Sequence, residues 1–287
     1  MMVDAMARGG TRNHTGEWPA GSRYWKPAHD YVCAQLAGAA TPHLHDEWQF
    51  AVPSQAAALL LGGFAHHPAR AGHVVMVRPY DVHAESAGVS WSVLYVARGV
   101  VARHFRALEV LAVPSRTVAD PAMGSELAAL LRHSGDGVTT EAEFAASALD
   151  WLEGFARRAT ADPAPRRSRR PRPAVERARA HLIGRPAEAP SLQEMASVAG
   201  VGASHLVRTF SLDIGLPPRS YHVQARLALA RRLLGEGRPV TWVAYECGFA
   251  DQSHLSRRFK ASYGLTPGSF QAQCMRHSAP ASGSDAA

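Results

Sequence analysis

Between residues 191 and 273, apolar positions recur at helical spacing in two matching blocks. Leu206 and Phe210 stand four apart, as do Leu255 and Phe259, and each pair sits in a near-identical string. Ser204-His205-Leu206-Val207-Arg208-Thr209-Phe210 returns 49 positions later as Ser253-His254-Leu255-Ser256-Arg257-Arg258-Phe259. The same offset relates Gly215-Leu216 and Pro218 to Gly264-Leu265 and Pro267. Each block follows a short helical segment that ends in glycine: Leu192–Ala199 before Gly200, and Trp242–Cys247 before Gly248. Helix, glycine turn, helix is the layout of a helix-turn-helix, here in tandem. Ser191-Leu192-Gln193-Glu194 reads as a capping box for the first unit, and Thr241 as the N-cap of the second. Between the blocks, Pro218–Leu234 reads as one helix with Tyr221, Leu227, Ala230 and Leu234 inward and Arg226, Arg231 and Arg232 outward. Such a helix is ~25 Å long at ~1.5 Å per residue, which suits two reading helices about one DNA turn (~34 Å) apart.

The pattern upstream is different. Over residues 31–118, short apolar runs (Ala57–Leu61, Val74–Val77, Trp91–Val96) alternate with turn signals, which predicts a small barrel or sandwich. Two one-sided apolar stripes follow. Ala122–His133 carries Met123, Leu127, Leu130 and Leu131, and Glu141–Ala159 carries Phe144, Ala148, Trp151, Leu152 and Phe155. The turn Ser134–Gly137 folds them into an antiparallel hairpin, which either covers the sheet or forms a dimer interface. Asp162–Pro173 holds five arginines among prolines and reads as an extended linker. The expected organisation is an arm over 1–30, a sensor domain with cover helices over 31–160, and the linker over 161–173. A tandem helix-turn-helix domain over 174–277 and a disordered tail over 278–287 complete it.

Charge sharpens this division. Residues 166–287 hold 18 basic against 8 acidic side chains, whereas residues 1–165 hold 13 against 16. A basic half beside a near-neutral one fits a nucleic-acid-binding domain joined to something else. The three cysteines, Cys33, Cys247 and Cys274, have neither zinc-finger spacing nor a partner for each, and fit a reducing compartment. No run approaches the ~18 apolar residues of a membrane span, and no signal peptide is visible. A cytoplasmic protein with no membrane contact is the expectation.

With Leu206, Phe210, Leu255 and Phe259 turned to the core, Ser204, Val207 and Arg208 face outward in the first unit. Gln252, Ser253, Ser256 and Arg257 do so in the second. Arginine reads the guanine O6/N7 edge bidentately and glutamine the adenine edge. The helix starts at Ser191 and Thr241, with Arg258 and Lys260, are assigned to phosphates, which position without specifying.

Residues 174–273 resemble the DNA-binding domain of the AraC/XylS family of bacterial transcription regulators. The closest stretch is Gly248-Phe249-Ala250-Asp251-Gln252-Ser253-His254-Leu255-Ser256-Arg257-Arg258-Phe259-Lys260, followed by Gly264-Leu265-Thr266-Pro267. The resemblance implies base contacts at Ser204, Val207 and Arg208, and at Gln252, Ser253, His254 and Arg257. It also implies double-stranded DNA as partner, a small-molecule effector, a homodimer through the helices at 122–159, and RNA polymerase as a partner of an activator. Val207 departs from a commonly polar position, and Phe270-Gln271 stands where the family usually has Tyr-Arg.

The N-terminal stretch is similar to the cupin-like effector barrel of many such regulators, through His43-x-His45, Gly72, Pro79 and His83. The implied fold is α+β in two domains: a cupin-like β-barrel with a helical hairpin, then an all-α tandem helix-turn-helix. On a strand, positions 43, 45, 47 and 49 share one face, so His43, His45, Glu47 and Gln49 converge, with His83 closing across the barrel. Three readings stay open: a pocket for an effector, a metal site, or structural histidines. Gln49 stands where a metal site wants a carboxylate, and Glu47 is too close to His45. The effector pocket is therefore preferred, with no metal, no cofactor and no catalytic residue. The alternative is a metal-dependent cupin enzyme or metal sensor fused to a DNA-binding module.

Overall fold

Alternation along the strands shows how the N-terminal half is layered. In the computed structural model, which describes residues 23–37, 41–62, 65–86, 88–105, 115–134, 138–161 and 171–276, β3 (Trp48–Pro53) is buried at every position. Its Trp48, Phe50 and Val52 join one apolar cluster, while Ala51 joins another on the opposite face. β6 (Val74–Val77) and β8 (Ser90–Val96) divide the same way, with Met76 and Leu94 on one side and Val77 and Tyr95 on the other. A central strand covered on both faces reads as a continuous apolar run, which explains the composition of these segments.

With β1 (Arg23–Ala28), β2 (Tyr31–Ala37) and β9 (Arg116–Val118), these strands make a six-stranded sheet in the order β1-β2-β8-β3-β6-β9. β4 (Ala57–Leu61), β5 (Ala65–Ala69) and β7 (His83–Glu85) make a three-stranded sheet in the order β5-β4-β7. Every pairing is antiparallel. The expected barrel is thus two sheets, with no ladder closing them into one cylinder among the described residues. His43 joins the smaller sheet by a reciprocal backbone bridge to His83 (2.9 and 3.0 Å). The sheet begins at Arg23, inside the stretch read as an arm.

After α1 (Arg98–His104), the helical hairpin forms as its stripes predict. α2 (Pro121–His133) starts on Asp120, whose carboxylate accepts from the Met123 amide (3.0 Å). α3 (Glu141–Ala161) sets Trp151 and Phe155 edge-on against Phe50, with ring centroids at 5.4 and 5.0 Å. The apolar stripes of both helices are therefore spent on the sheet. The linker at 162–170, most of the turn between the helices, and the tail lie outside the described residues.

The C-terminal domain contains α4 (Pro173–Gly184), α5 (Leu192–Ala199), α6 (Ala203–Ile214) and α7 (Pro218–Gly235). α8 (Val240–Glu246), α9 (Gln252–Tyr263) and α10 (Pro267–Arg276) complete it. The sequence repeat is a structural repeat. Gly200 and Gly248 take left-handed φ values of 67° and 71° at the two turns, and Gly215 and Gly264 end the two second helices at 89° and 82°. Ser191 caps α5 as expected, accepting from the Glu194 amide (3.1 Å), while the Glu194 carboxylate turns to His181 (3.6 Å). Thr241 is not an N-cap: α8 is capped two residues earlier, at Pro239, without a side-chain hydrogen bond.

Gly248 carries a constraint that Gly200 lacks. A Cβ at 248 would lie 2.4 Å from the Ala187 carbonyl oxygen, whereas at 200 it would approach only the Arg177 guanidinium, at 3.4 Å. Gly200→Ala is expected to cost roughly 1 kcal/mol for the left-handed backbone alone. Gly248→Ala adds the backbone clash and should cost on the order of 2–4 kcal/mol. Thermal denaturation of the two variants checks the order, and equal losses would contradict it.

Candidate functional site

Burial separates the repeat into scaffold and reading surface. Leu206, Phe210, Leu255 and Phe259 are fully buried. On α6, Ser204 and Arg208 are exposed and Val207 half-buried. On α9, Gln252, Ser253, Arg257, Arg258 and Lys260 are exposed, with His254 and Ser256 half-buried. Ser191 and Thr241 are exposed at the starts of α5 and α8. Every residue expected to meet DNA therefore remains at least partly accessible. The two copies differ at their starts: Asp251 caps α9 by accepting from the His254 amide (2.6 Å), while Gly202, its counterpart, caps α6 with no side chain.

The long helix α7 departs from its expected orientation. Of the three arginines read as outward, only Arg232 is exposed, and it pairs with Asp46 (3.2 Å) and Glu236 (2.9 Å). Arg226 lies over the Phe249 ring (4.4 Å) and donates to the Cys247 carbonyl (2.6 Å), bracing the second turn. Arg231 is 1% exposed and points into the N-terminal domain. It pairs with Glu47 and lies 4.0 Å from the Tyr95 ring, with Tyr24, Tyr263 and Phe270 within 6 Å. Burial penalises the cation, yet Glu47 and the tyrosines hold its pKa above the ordinary guanidinium value.

More bonds cross the same seam. Lys26 Nζ donates to the Gly235 carbonyl (3.0 Å), and the Tyr263 hydroxyl donates to the Leu44 carbonyl (3.0 Å). The Tyr24 amide donates to Gln273 Oε1 (2.7 Å), and the Tyr24 ring stands edge-on to Phe270 (5.2 Å). Arg179 reaches Asp81 (3.1 Å). A cavity of about 420 Å³ opens beside this seam, lined by residues of both domains that include Lys26, Glu47, Tyr80, Arg98, Arg231 and Arg232.

Of the five residues expected to form an effector pocket, four come together and one does not. His43, His45, Gln49 and His83 are buried side by side. His45 Nε2 and His83 Nε2 lie 2.9 and 3.2 Å from Gln49 Oε1, and the His43 and His83 ring centroids are 4.4 Å apart. The Glu47 carboxylate pairs instead with Arg231, its other oxygen staying 3.9 Å from His45 Nδ1. A residue the sequence reading missed takes its place. Glu85 is fully buried and accepts from Gln49 Nε2 (3.1 Å). The signal was present as His83-x-Glu85, two residues on one face of β7.

Residues 195–273 match the family model described as a helix-turn-helix domain. A putative AraC-like transcription regulator of Streptomyces antibioticus is 34% identical over 100 residues, 34% of this chain and 33% of the relative. Residues 195–273 are thus similar to the helix-turn-helix domains of AraC-type transcription regulators. The transcriptional activator RhaS of Escherichia fergusonii is 37% identical over 82 residues, 28% of this chain and 30% of that protein. The chain thus spans about a third of the length of the curated relatives it matches. Among solved structures, an apo ToxT variant from Vibrio cholerae strain SCE256 superposes with a TM-score of 0.55 at 13% identity, covering 88% of this chain and 96% of ToxT. ToxT of strain O395, bound to (E)-4-(8-methylnaphthalen-1-yl)but-3-enoic acid, gives 0.53 at 10% identity, covering 90% and 96%. The two-domain layout, sheet-rich and then helical, is therefore shared at the level of fold.

The docking pair of Arg231 and Glu47 makes a direct prediction. Glu47→Leu strands a buried cation and should cost about 3–5 kcal/mol, whereas Glu47→Leu with Arg231→Met should recover most of the loss. Chemical denaturation of the two single variants and the double variant gives the coupling. A double variant no better than Glu47→Leu would show that the pair is not the docking contact.

Proposed function

We propose that this protein is a DNA-binding transcription regulator in which the N-terminal domain governs the helix-turn-helix domain through their shared seam. The observation that carries the reading is the split within the repeat. Apolar Leu and Phe are buried in both units, while Arg208 and Arg257 stand exposed at matching positions. Base contacts then fall on Ser204, Val207 and Arg208, and on Gln252, Ser253, His254 and Arg257. Phosphate contacts fall on Ser191, Thr241, Arg258 and Lys260. The basic C-terminal half supplies the salt-dependent share of affinity.

Control by a small-molecule effector enters at the seam. The 420 Å³ cavity places the cations Lys26, Arg98, Arg231 and Arg232 beside Asp46 and Glu47, so an acidic effector would compete for partners that already hold the domains together. The carboxylic acid named with the O395 ToxT structure supports this choice of chemistry. Among the five residues first considered for effector binding, Glu47 lines this cavity, and the buried quartet lies apart from its lining. Binding would shift the population between docked and released arrangements of the reading helices. The outer faces of α2 and α3 are the surface left for a homodimer, because their apolar stripes face the sheet. RNA polymerase would be the further partner if the protein activates. No helix among the described residues is long and apolar enough to cross a membrane.

Footprinting of the purified protein on candidate promoter DNA tests the main claim. Arg257→Ala is expected to weaken site-specific binding by about 1–3 kcal/mol and to relax preference at one base position. Lys260→Ala should weaken all sequences alike and flatten the salt dependence. An unchanged footprint for Arg257→Ala would remove the second reading helix from the assignment.

A further inference from the structure

The buried quartet and Glu85 contain more acceptors than donors. The Nδ1 atoms of His43, His45 and His83 each face a backbone carbonyl, of Thr41 (3.0 Å), Glu47 (2.9 Å) and Asp81 (3.0 Å). A carbonyl only accepts, so the ring proton sits on Nδ1 and a neutral ring turns an Nε2 lone pair inward. The His45 and His83 rings both turn this edge toward the Gln49 amide. Their Nε2 atoms then confront Gln49 Oε1, another acceptor. Turning the Gln49 amide over satisfies the rings, but sets its oxygen against Glu85 Oε1 at 3.1 Å. Glu85 Oε2, fully buried, has no hydrogen-bond partner and lies 3.9 Å from His43 Nε2. Neither orientation of the amide satisfies His45, His83 and Glu85 together.

We propose that His43, His83 and Glu85 bind a divalent first-row transition metal ion, with zinc as the representative. The ligand atoms of these three residues lie within 4.8 Å of one another, and His83 Nε2 is 3.6 Å from Glu85 Oε1. Bonds of ~2.0–2.2 Å in a tetrahedral site set ligand atoms ~3.4 Å apart, close to the 3.6 Å between His83 Nε2 and Glu85 Oε1, and side-chain rotation would bring the His43 ring in to complete the set. Two imidazole nitrogens with one carboxylate favour zinc or its neighbours over calcium or magnesium. The carbonyls of Thr41 and Asp81 already do what outer ligands do at metal-bound histidines: they fix the tautomer and aim the ring. Gln49 holds the carboxylate from the other side. The carboxylate missing at position 49 is thus supplied from β7 of the smaller sheet.

The site also ties β7 to the segment that docks the DNA-binding domain. His43 is followed by Leu44, whose carbonyl accepts from Tyr263, and by Asp46 and Glu47, which hold Arg232 and Arg231. Metal binding would stiffen that segment.

The test uses the full chain, stripped with a chelator, titrated with zinc chloride and passed over a desalting column. About one equivalent of zinc should remain by elemental analysis, with a raised melting temperature. Glu85→Gln should weaken zinc binding about tenfold or more, while His133→Ala, an exposed histidine, should leave it unchanged. Cobalt(II) added to the stripped wild-type chain should give visible d–d absorption that zinc abolishes, a readout that requires no variant to fold. Failure of the wild type to retain zinc, absence of the cobalt bands, or equal affinity in a folded Glu85→Gln variant would each overturn the proposal.

Discussion

The buried pair of Arg231 with Glu47 is the constraint around which the two halves are arranged. An arginine at 1% exposure has lost its water, and the loss is offset only by its carboxylate partner and the faces of Tyr24, Tyr95, Tyr263 and Phe270. These rings come from β1, β8, α9 and α10, so one side chain collects groups from both domains. The apolar cluster runs through the same seam without a break, from Trp91 and Val93 of the sheet to Leu227, Phe259 and Phe270 of the helical domain. Such a pair adds little net stability compared with an apolar substitute. What it adds is register, because only one docking geometry leaves neither charge unpaired.

That register bears on how such a protein would be controlled. An interface held only by apolar area would be hard for a small acid to loosen. One held by a cation with a single carboxylate partner beside a cavity is open to competition, since a second carboxylate exchanges one pairing for another without exposing the charge. Lys26 adds a second cation whose only described hydrogen bond is to the Gly235 carbonyl, an acceptor it can give up cheaply. Under the proposed function such a seam would resist random loosening and yield to an acidic ligand.

The helical half was legible in the sequence because its information is local. Helical periodicity, the Ser191 cap, and glycines at the turns and helix ends all act within a few residues, and each reappears in place. The sheet-rich half was legible strand by strand but not in closure, because which strands pair depends on contacts far apart in the chain. Arg231 was misread for the same reason. Periodicity on α7 sees a polar residue and turns it to solvent, whereas its partners stand on β1, β8, α9 and α10 and just ahead of β3. Glu85 stands on β7, far in sequence from His43 and His45, so only the His83-x-Glu85 alternation signals it.

The repeat itself carries a last consequence. Its shared Leu and Phe are the ones the core requires, while its shared Ser and Arg stay exposed, so identity between the copies measures the scaffold and a common part of the outer face. Gly248 is pinned by the Ala187 carbonyl and by Arg226, while Gly200 has looser surroundings. α9 begins on a capping aspartate, and α6 on a bare glycine. The second unit is therefore the more rigidly set, and it is the one whose neighbours Tyr263 and Phe270 enter the Arg231 box. A change at the seam reaches α9 through these two rings, and reaches α6 through the cluster in which Leu44 and Val82 join Phe210 and Ile214. α9 also carries the richer set of exposed hydrogen-bonding side chains, Gln252, Ser253 and Arg257, so under the proposed function a change at Arg231 would bear first on the helix with more base-reading groups.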